Sequence, residues 1–220
     1  MRFNFFLPAV GLLALFTAAQ REGSVSGTIH DHDGVPVAGA HVSAEVMRGD
    51  KILTVLATNT NDQGRFLFSH LELGEYHISA QKQEAGYLST APDIFTCKPP
   101  LTIVLSEESP TADTSVDFMP KGATITGWVK DAKTAQAISA HLSLAPIPDC
   151  GWSTAGTTGK HRFELLVPSD TPITFGACSE GYKPWTPLAL SLRPGSRFAI
   201  DVLLERNEEN EQTLCSAGTY

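Results

Sequence analysis

One pattern runs through this chain twice. Val25-Ser26-Gly27-Thr28-Ile29 returns as Ile125-Thr126-Gly127-Trp128-Val129, and Asp31 returns as Asp131. Ala40-His41-Val42-Ser43 returns as Ala140-His141-Leu142-Ser143, again 100 residues later. Arg65-Phe66 matches Arg162-Phe163 at an offset of 97, and Gly86-Tyr87 matches Gly181-Tyr182 at 95. Offsets that shrink in small steps are what loop deletions leave when the strands between them hold register. A repeat of this length is a whole domain, not one turn of a solenoid. The chain therefore reads as two domains in tandem, residues 22–119 and 120–206.

Within each copy the apolar residues alternate with a period of two, and no sustained helical period is present outside the first twenty residues. Val25, Gly27 and Ile29 share one face while Ser26, Thr28 and His30 share the other. Ala40, Val42, Ala44 and Val46 alternate with His41, Ser43 and Glu45, and Tyr76, Ile78 and Ala80 with His77 and Ser79. Turn chemistry separates the runs at Asp33-Gly34, Gly49-Asp50, Asn61-Asp62-Gln63-Gly64 and Leu73-Gly74-Glu75. Short half-apolar strands at this spacing predict an all-β chain of two antiparallel β-sandwiches, about seven strands each. Ser115-Val116-Asp117-Phe118 closes the first copy and Ile200-Asp201-Val202-Leu203 is its counterpart. Ser106 to Thr114, rich in Ser, Thr and Glu, reads as a surface loop.

The N-terminus carries Arg2, an apolar run from Phe5 to Phe16, and small residues at Thr17-Ala18-Ala19. That succession predicts a secretory signal peptide over residues 1–19, the alternative being an uncleaved membrane anchor. No second apolar run of spanning length follows. The expected location is secreted, periplasmic or on the cell surface. A formal charge of −8 with no basic run argues against a nucleic-acid partner. Residues 207–220 read as an acidic, disordered tail. Four cysteines, Cys97, Cys150, Cys178 and Cys215, suit an oxidising compartment and form no metal-type CxxC. Cys150 and Cys178 share one domain and are the favoured disulfide, with four free thiols as the alternative.

These residues resemble the carboxypeptidase regulatory-like domain, a transthyretin-like and carbohydrate-binding-like β-sandwich. The first copy carries the match in Gly27-x-Ile29-x-Asp31, Gly34-x-Pro36-x-x-Gly39-Ala40-x-Val42 and Asp62-x-Gly64-x-Phe66-x-Phe68-x-x-Leu71, closing with Leu73-Gly74-Glu75-Tyr76 and Ala85-Gly86-Tyr87. The second copy departs from it at Ala135-Gln136-Ala137, where the first has its Asp33-Gly34-Val35-Pro36 turn. The resemblance implies two tandem copies of an accessory, non-catalytic domain with no cofactor.

Several polar constellations invite a chemical reading. His161-Arg162-Phe163-Glu164 fits HxxE, yet a strand puts positions i and i+3 on opposite faces, and no histidine follows to complete a zinc site. Gly151-Trp152-Ser153-Thr154-Ala155 approaches a nucleophile elbow but lacks the second glycine and the following helix. His30, His32 and Asp33 form the sharpest polar cluster. Two imidazoles on one strand face, joined by His41 across strands, could hold zinc or copper; exposed histidines at a strand end explain the cluster without a metal. Trp128, Trp152 and Trp185 all fall in the second copy and could anchor a sugar ring or a protein, or pack over a domain edge. The reading is an exported, non-enzymatic binding or structural module with a protein or polysaccharide partner. The alternative is a carbohydrate-binding protein using those tryptophans.

Overall fold

The computed structural model describes residues 22–91, 99–146, 153–157, 159–160 and 162–207. The signal segment, nearly all of the acidic tail, Trp152, His161, Cys97, Cys150 and Cys215 lie outside that set. Among the described residues the regular structure is β-strand apart from one short 3-10 turn, and no helix is long and apolar enough to cross a membrane.

The first half contains β1 (Gly23–His30), β2 (His41–Arg48), β3 (Lys51–Asn59), β4 (Arg65–Leu71), β5 (Gly74–Gln81), β6 (Leu101–Leu105) and β7 (Thr111–Asp117). They form a four-stranded sheet, β3-β2-β5-β6, and a three-stranded sheet, β4-β1-β7. The second half contains β8 (Ala123–Gly127), β9 (Val129–Asp131), β10 (His141–Pro146), β11 (Ser153–Thr157), β12 (Phe163–Val167), β13 (Ile173–Cys178), β14 (Leu188–Leu190), β15 (Arg197–Ala199) and β16 (Val202–Leu204). Its order is β11-β10-β13-β14 in one sheet and β12-β8-β15 in another, with β9 and β16 paired in a two-stranded sheet. The two halves thus share one strand order. Joining β8 to β9 and β15 to β16 across single interruptions brings the second half to the expected seven strands.

Burial follows the alternation. Along β1 every second residue is buried, and Ile29, Val42, Phe66 and Ile78 are each at most 4 % exposed. Val129, Leu142, Phe163 and Ile173 fill the same role in the second half. The buried residues separate into two clusters, one from Val25 to Phe118 and one from Ala123 to Leu204.

Two glycines explain why the pattern repeats. Gly27 faces Phe66 across the β1–β4 pair, and Gly127 faces Phe163 across β8–β12. A Cβ on Gly27 would meet both the Thr114 carbonyl and the Phe66 ring; one on Gly127 would run into the Ile200 carbonyl. The phenyl ring lies in the space that the absent side chain leaves, a cross-strand pairing in which aromatic and glycine need each other.

Three expectations change. The strands that close each half pair in parallel, β1 with β7, β8 with β15 and β9 with β16, although every other pair is antiparallel. Alternation carries no information on strand direction. Residues 111–114 belong to β7 rather than to a loop. That edge strand buries only Val116, so its sequence shows little of the apolar rhythm. Finally, Ile29 pairs with Val116 and Val129 with Val202, so Ser115 corresponds to Asp201, one residue on from the alignment read in the sequence. A shift of one exchanges the inward and outward faces.

Candidate binding face

Strand periodicity puts Thr124, Thr126, Trp128 and Lys130 on the outward side of the second half's smaller sheet, where Thr126 is nevertheless covered, at 2 % exposed. Trp128 is half-buried at the gap between β8 and β9. Its backbone N–H donates to Asp201 Oδ1 at 3.1 Å, and its carbonyl accepts from the Val202 N–H at 2.8 Å. Asp201 Oδ2 takes the Lys130 ammonium at 2.7 Å. That ammonium, foremost, holds the Asp201 carboxyl below its ordinary pKa, helped by the Trp128 N–H and by the charges of Lys130 and Arg162. Arg162 follows the Phe163–Gly127 pair in register and donates to Thr126 Oγ1 at 2.9 Å. One row further, Arg197 meets Glu164 at 3.0 Å. The result places an aromatic residue beside the Lys130–Asp201 ion pair and the Arg162 guanidinium, the mixture that sugar rings and polar peptide surfaces accept. In the first half Thr28 occupies the equivalent place.

A second polar set recurs in both halves. Asp31 Oδ1 accepts the N–H groups of Asp33 and Val35, closing the turn after β1. Asp131 Oδ1 accepts those of Lys133 and Thr134. The Tyr182 hydroxyl donates to Asp131 Oδ2 at 3.0 Å, and Tyr87 approaches Asp31 Oδ2 at 3.5 Å. Arg206 Nε adds a 2.8 Å bond to the buried Asp131 and stands over the Tyr182 ring. Lys121 stands over Tyr87 in the same way. Arg206 chiefly, with the turn N–H groups and Tyr182, holds the Asp131 carboxyl far below its usual range. The Val35 N–H foremost lowers Asp31, while burial raises Tyr87 and Tyr182. Asp31/Asp131 and Gly86-Tyr87/Gly181-Tyr182 stand in the sequence as separate repeats that only the fold joins. Their recurrence together was the available signal.

The other sequence-predicted residues scatter. Trp185 lies against the second core, edge-on to Phe175 at 5.9 Å, with its backbone N–H on the Ala177 carbonyl. It covers the core rather than joining Trp128, and Trp152 is outside the described residues. His30 ends β1 and turns to Ser115 at 3.1 Å and Asp117 at 3.5 Å. His32 already lies in the following turn, beside Asp33 at 3.3 Å, so the same-face spacing assumed for a strand does not apply. His41 sits on the opposite sheet with Asn59, lining a shallow polar cleft with Gly39, Gln81, Gln83 and Glu84. Among the described residues no three His, Cys, Asp or Glu side chains converge on a metal-sized site. Cys178, 2 % exposed, is disulfide-bonded; Cys150, its expected partner, is outside the described residues. Glu164 of the HxxE pattern is the partner of Arg197, and His161 is not described.

The profile of the carboxypeptidase regulatory-like domain matches residues 24–105. A comparison with curated proteins returns no match. Among solved structures the chain is similar to the Bacillus anthracis TIE protein, at 13% identity and a TM-score of 0.36, over 84% of this chain and 34% of that one. It is similar to a streptococcal ancillary pilin at 15% identity and a TM-score of 0.39, over 87% and 64%. It is also similar to the shaft pilin SpaA of Lactobacillus rhamnosus GG, at 13% identity and a TM-score of 0.35, over 85% and 98%. The chain thus spans about a third of the first of these and less than two thirds of the second. Likeness at these scores carries no argument about what the chain does.

Proposed function

We propose that this chain is an exported, non-catalytic binding and structural module built from two β-sandwiches, residues 22–119 and 120–206, that meets a macromolecular partner outside the cytoplasm. The observation that carries the reading is where the polar groups are spent. Asp31 and Asp131 close turns, His30 and Asp201 tie strands together, and Glu164 neutralises Arg197. Catalysis needs an acid, base or nucleophile free to face a substrate. The regulatory-like match over residues 24–105 supports the same reading, since the domain it resembles is an accessory one. The edge strand β3, with Ile52, Leu53 and Val55 each more than half exposed, offers a protein partner an unpaired backbone edge.

A polysaccharide partner is the second reading, favoured by Trp128 and its setting of Lys130, Asp201 and Arg162. The mature protein, titrated with polysaccharides while tryptophan emission is followed, should separate the two. A shift present in the native chain and lost in Trp128→Ala selects the sugar. Metal-dependent peptide hydrolysis by the pure protein, abolished by His161→Ala, would overturn the non-catalytic reading.

A further inference from the structure

The parallel pairing of first and last strands has mechanical meaning. In the first half, β1 and β7 run side by side through seven register pairs, from Ser24 with Thr111 to His30 with Asp117. A pull between the ends of that half acts at Gly23 and at Asp117. Because the strands are parallel, these points are at opposite ends of the ladder. The strands must then slide past each other, and all the evenly spaced bonds carry the load together. A pull on neighbouring ends, Gly23 and Thr111, would open the same ladder one bond at a time.

The side chains reinforce this one pair of strands. Ser26 Oγ donates to Asp113 at 2.6 Å, and His30 lies against Ser115 and Asp117. Backbone bonds extend the ladder at both ends, Ser24 N–H to the Pro110 carbonyl and Phe118 N–H to the His30 carbonyl. In the second half the ladder is two short pieces, three pairs of β8 with β15 and three of β9 with β16. Across the gap the Asp201 carboxylate accepts the Trp128 N–H while gripping Lys130. Backbone bonds also cross this gap, from the Ile200 N–H to the Thr126 carbonyl and from the Val202 N–H to the Trp128 carbonyl, and the Asp201 side chain adds a further acceptor between first and last strands.

We propose that the chain is a tension-bearing tether, in which the first-to-last strand ladder of each half is the mechanical clamp and Asp201 reinforces the second clamp at its break. The inference rests on reading the chain as a structural module. It fails separately from that reading, because substrate turnover and resistance to force are measured independently.

The test is single-molecule pulling of the mature chain between marker domains. Forced unfolding reports the height of the unfolding barrier, which is where a clamp acts. Pulled from end to end with the disulfide of Cys178 reduced, each half should release about 30 nm of chain in one step. The first half should give way at a force several times that needed when handles at Glu22 and Pro110 peel the same two strands apart. Asp201→Ala should lower the force of one of the two steps and leave the other unchanged, with circular dichroism confirming that both halves remain folded. Lys130→Met, which loosens the carboxylate without removing it, should lower the same step by less. Equal forces in the two pulling directions would overturn the clamp. Both steps falling together, or neither falling in folded Asp201→Ala, would overturn the role of Asp201. Should Asp201→Ala not fold, Lys130→Met decides that role, and the comparison of directions on the native chain decides the clamp.

Discussion

Replacing Phe66 by alanine tests both the packing and the division into two cores. The ring is 4 % exposed, lies edge-on to Phe68 at 6.0 Å, and fills the space over Gly27. Nothing opposite can relax into the void, because Gly27 has no side chain to move. The loss therefore belongs at about 3–5 kcal/mol, the range for a phenyl ring whose site cannot collapse. Against a domain stability of roughly 5–15 kcal/mol, this leaves the first half near unfolding. Its melting point should drop by on the order of 20 °C. The assay has a built-in reporter, because all three tryptophans, Trp128, Trp152 and Trp185, lie in the second half. Circular dichroism should show an early transition in Phe66→Ala, while the tryptophan-fluorescence midpoint stays where it was. Phe163→Ala, removing the matching ring opposite Gly127, should move the fluorescence midpoint instead. If Phe66→Ala moved both signals equally, the two clusters would be one cooperative unit and the two-module reading would fall. A change below about 1 kcal/mol would show that the ring does not support the core.

The remaining predictions concern single residues of the second half. Ala135 adopts φ 56°, where the first half uses Gly34 at φ 80°. Ala135→Gly should stabilise the second half by about 0.5–1 kcal/mol in a denaturant titration followed by fluorescence, because relief of the left-handed strain exceeds glycine's extra unfolded entropy. Gly127→Ala should cost about 3 kcal/mol or more by the same measurement, since its Cβ would collide with the Ile200 backbone, which a rotamer change cannot move. Asp131 is held below its ordinary value of 3.8, so its stabilisation is complete above that pH and is lost as the pH falls through the lower folded-state value. Midpoints of the second half should therefore fall on acidification below 3.8, and Asp131→Asn should flatten that fall. An unchanged acid slope in the variant would assign it to other carboxylates.

Much of the fold was legible because its rules are local. Alternation in β1 and β2 identifies Ile29 and Val42 as core without knowledge of a partner strand, and repetition of the pattern strengthens each assignment. What escaped depends on long-range pairing. β7 was hidden because an edge strand with one buried residue, Val116, need not alternate. The Ser115–Asp201 correspondence was off by one because only the register with β1 and β9 fixes it. Ala135 was legible as a departure from the Asp33-Gly34 turn. Its consequence was not, since a positive φ at alanine reflects the one-residue-longer turn that Asp131 closes against Gln136, where Asp31 closes against Val35.

The candidate site was less legible for a related reason. Three tryptophans attract attention by residue type, yet type does not say whether an indole covers a core or faces solvent. Trp185 follows a buried strand and folds back onto Phe175, whereas Trp128 lies in the one-residue break between β8 and β9, on the sheet's outward side. The residues that give Trp128 its surroundings, Arg162 and Asp201, are separated from it by 34 and 73 positions and meet it only through the sheet order β12-β8-β15 and its continuation in β16. The same pairing that assembles this face also carries load from the second half's first strand to its last. A ligand contacting Trp128 and Asp201 together would sit across the clamp itself. Binding there and resistance to force should then rise together, so a polysaccharide that shifts Trp128 emission should also raise the unfolding force of the second half alone. A ligand that shifts the emission and leaves that force unchanged would place the binding face and the clamp on separate parts of the sheet.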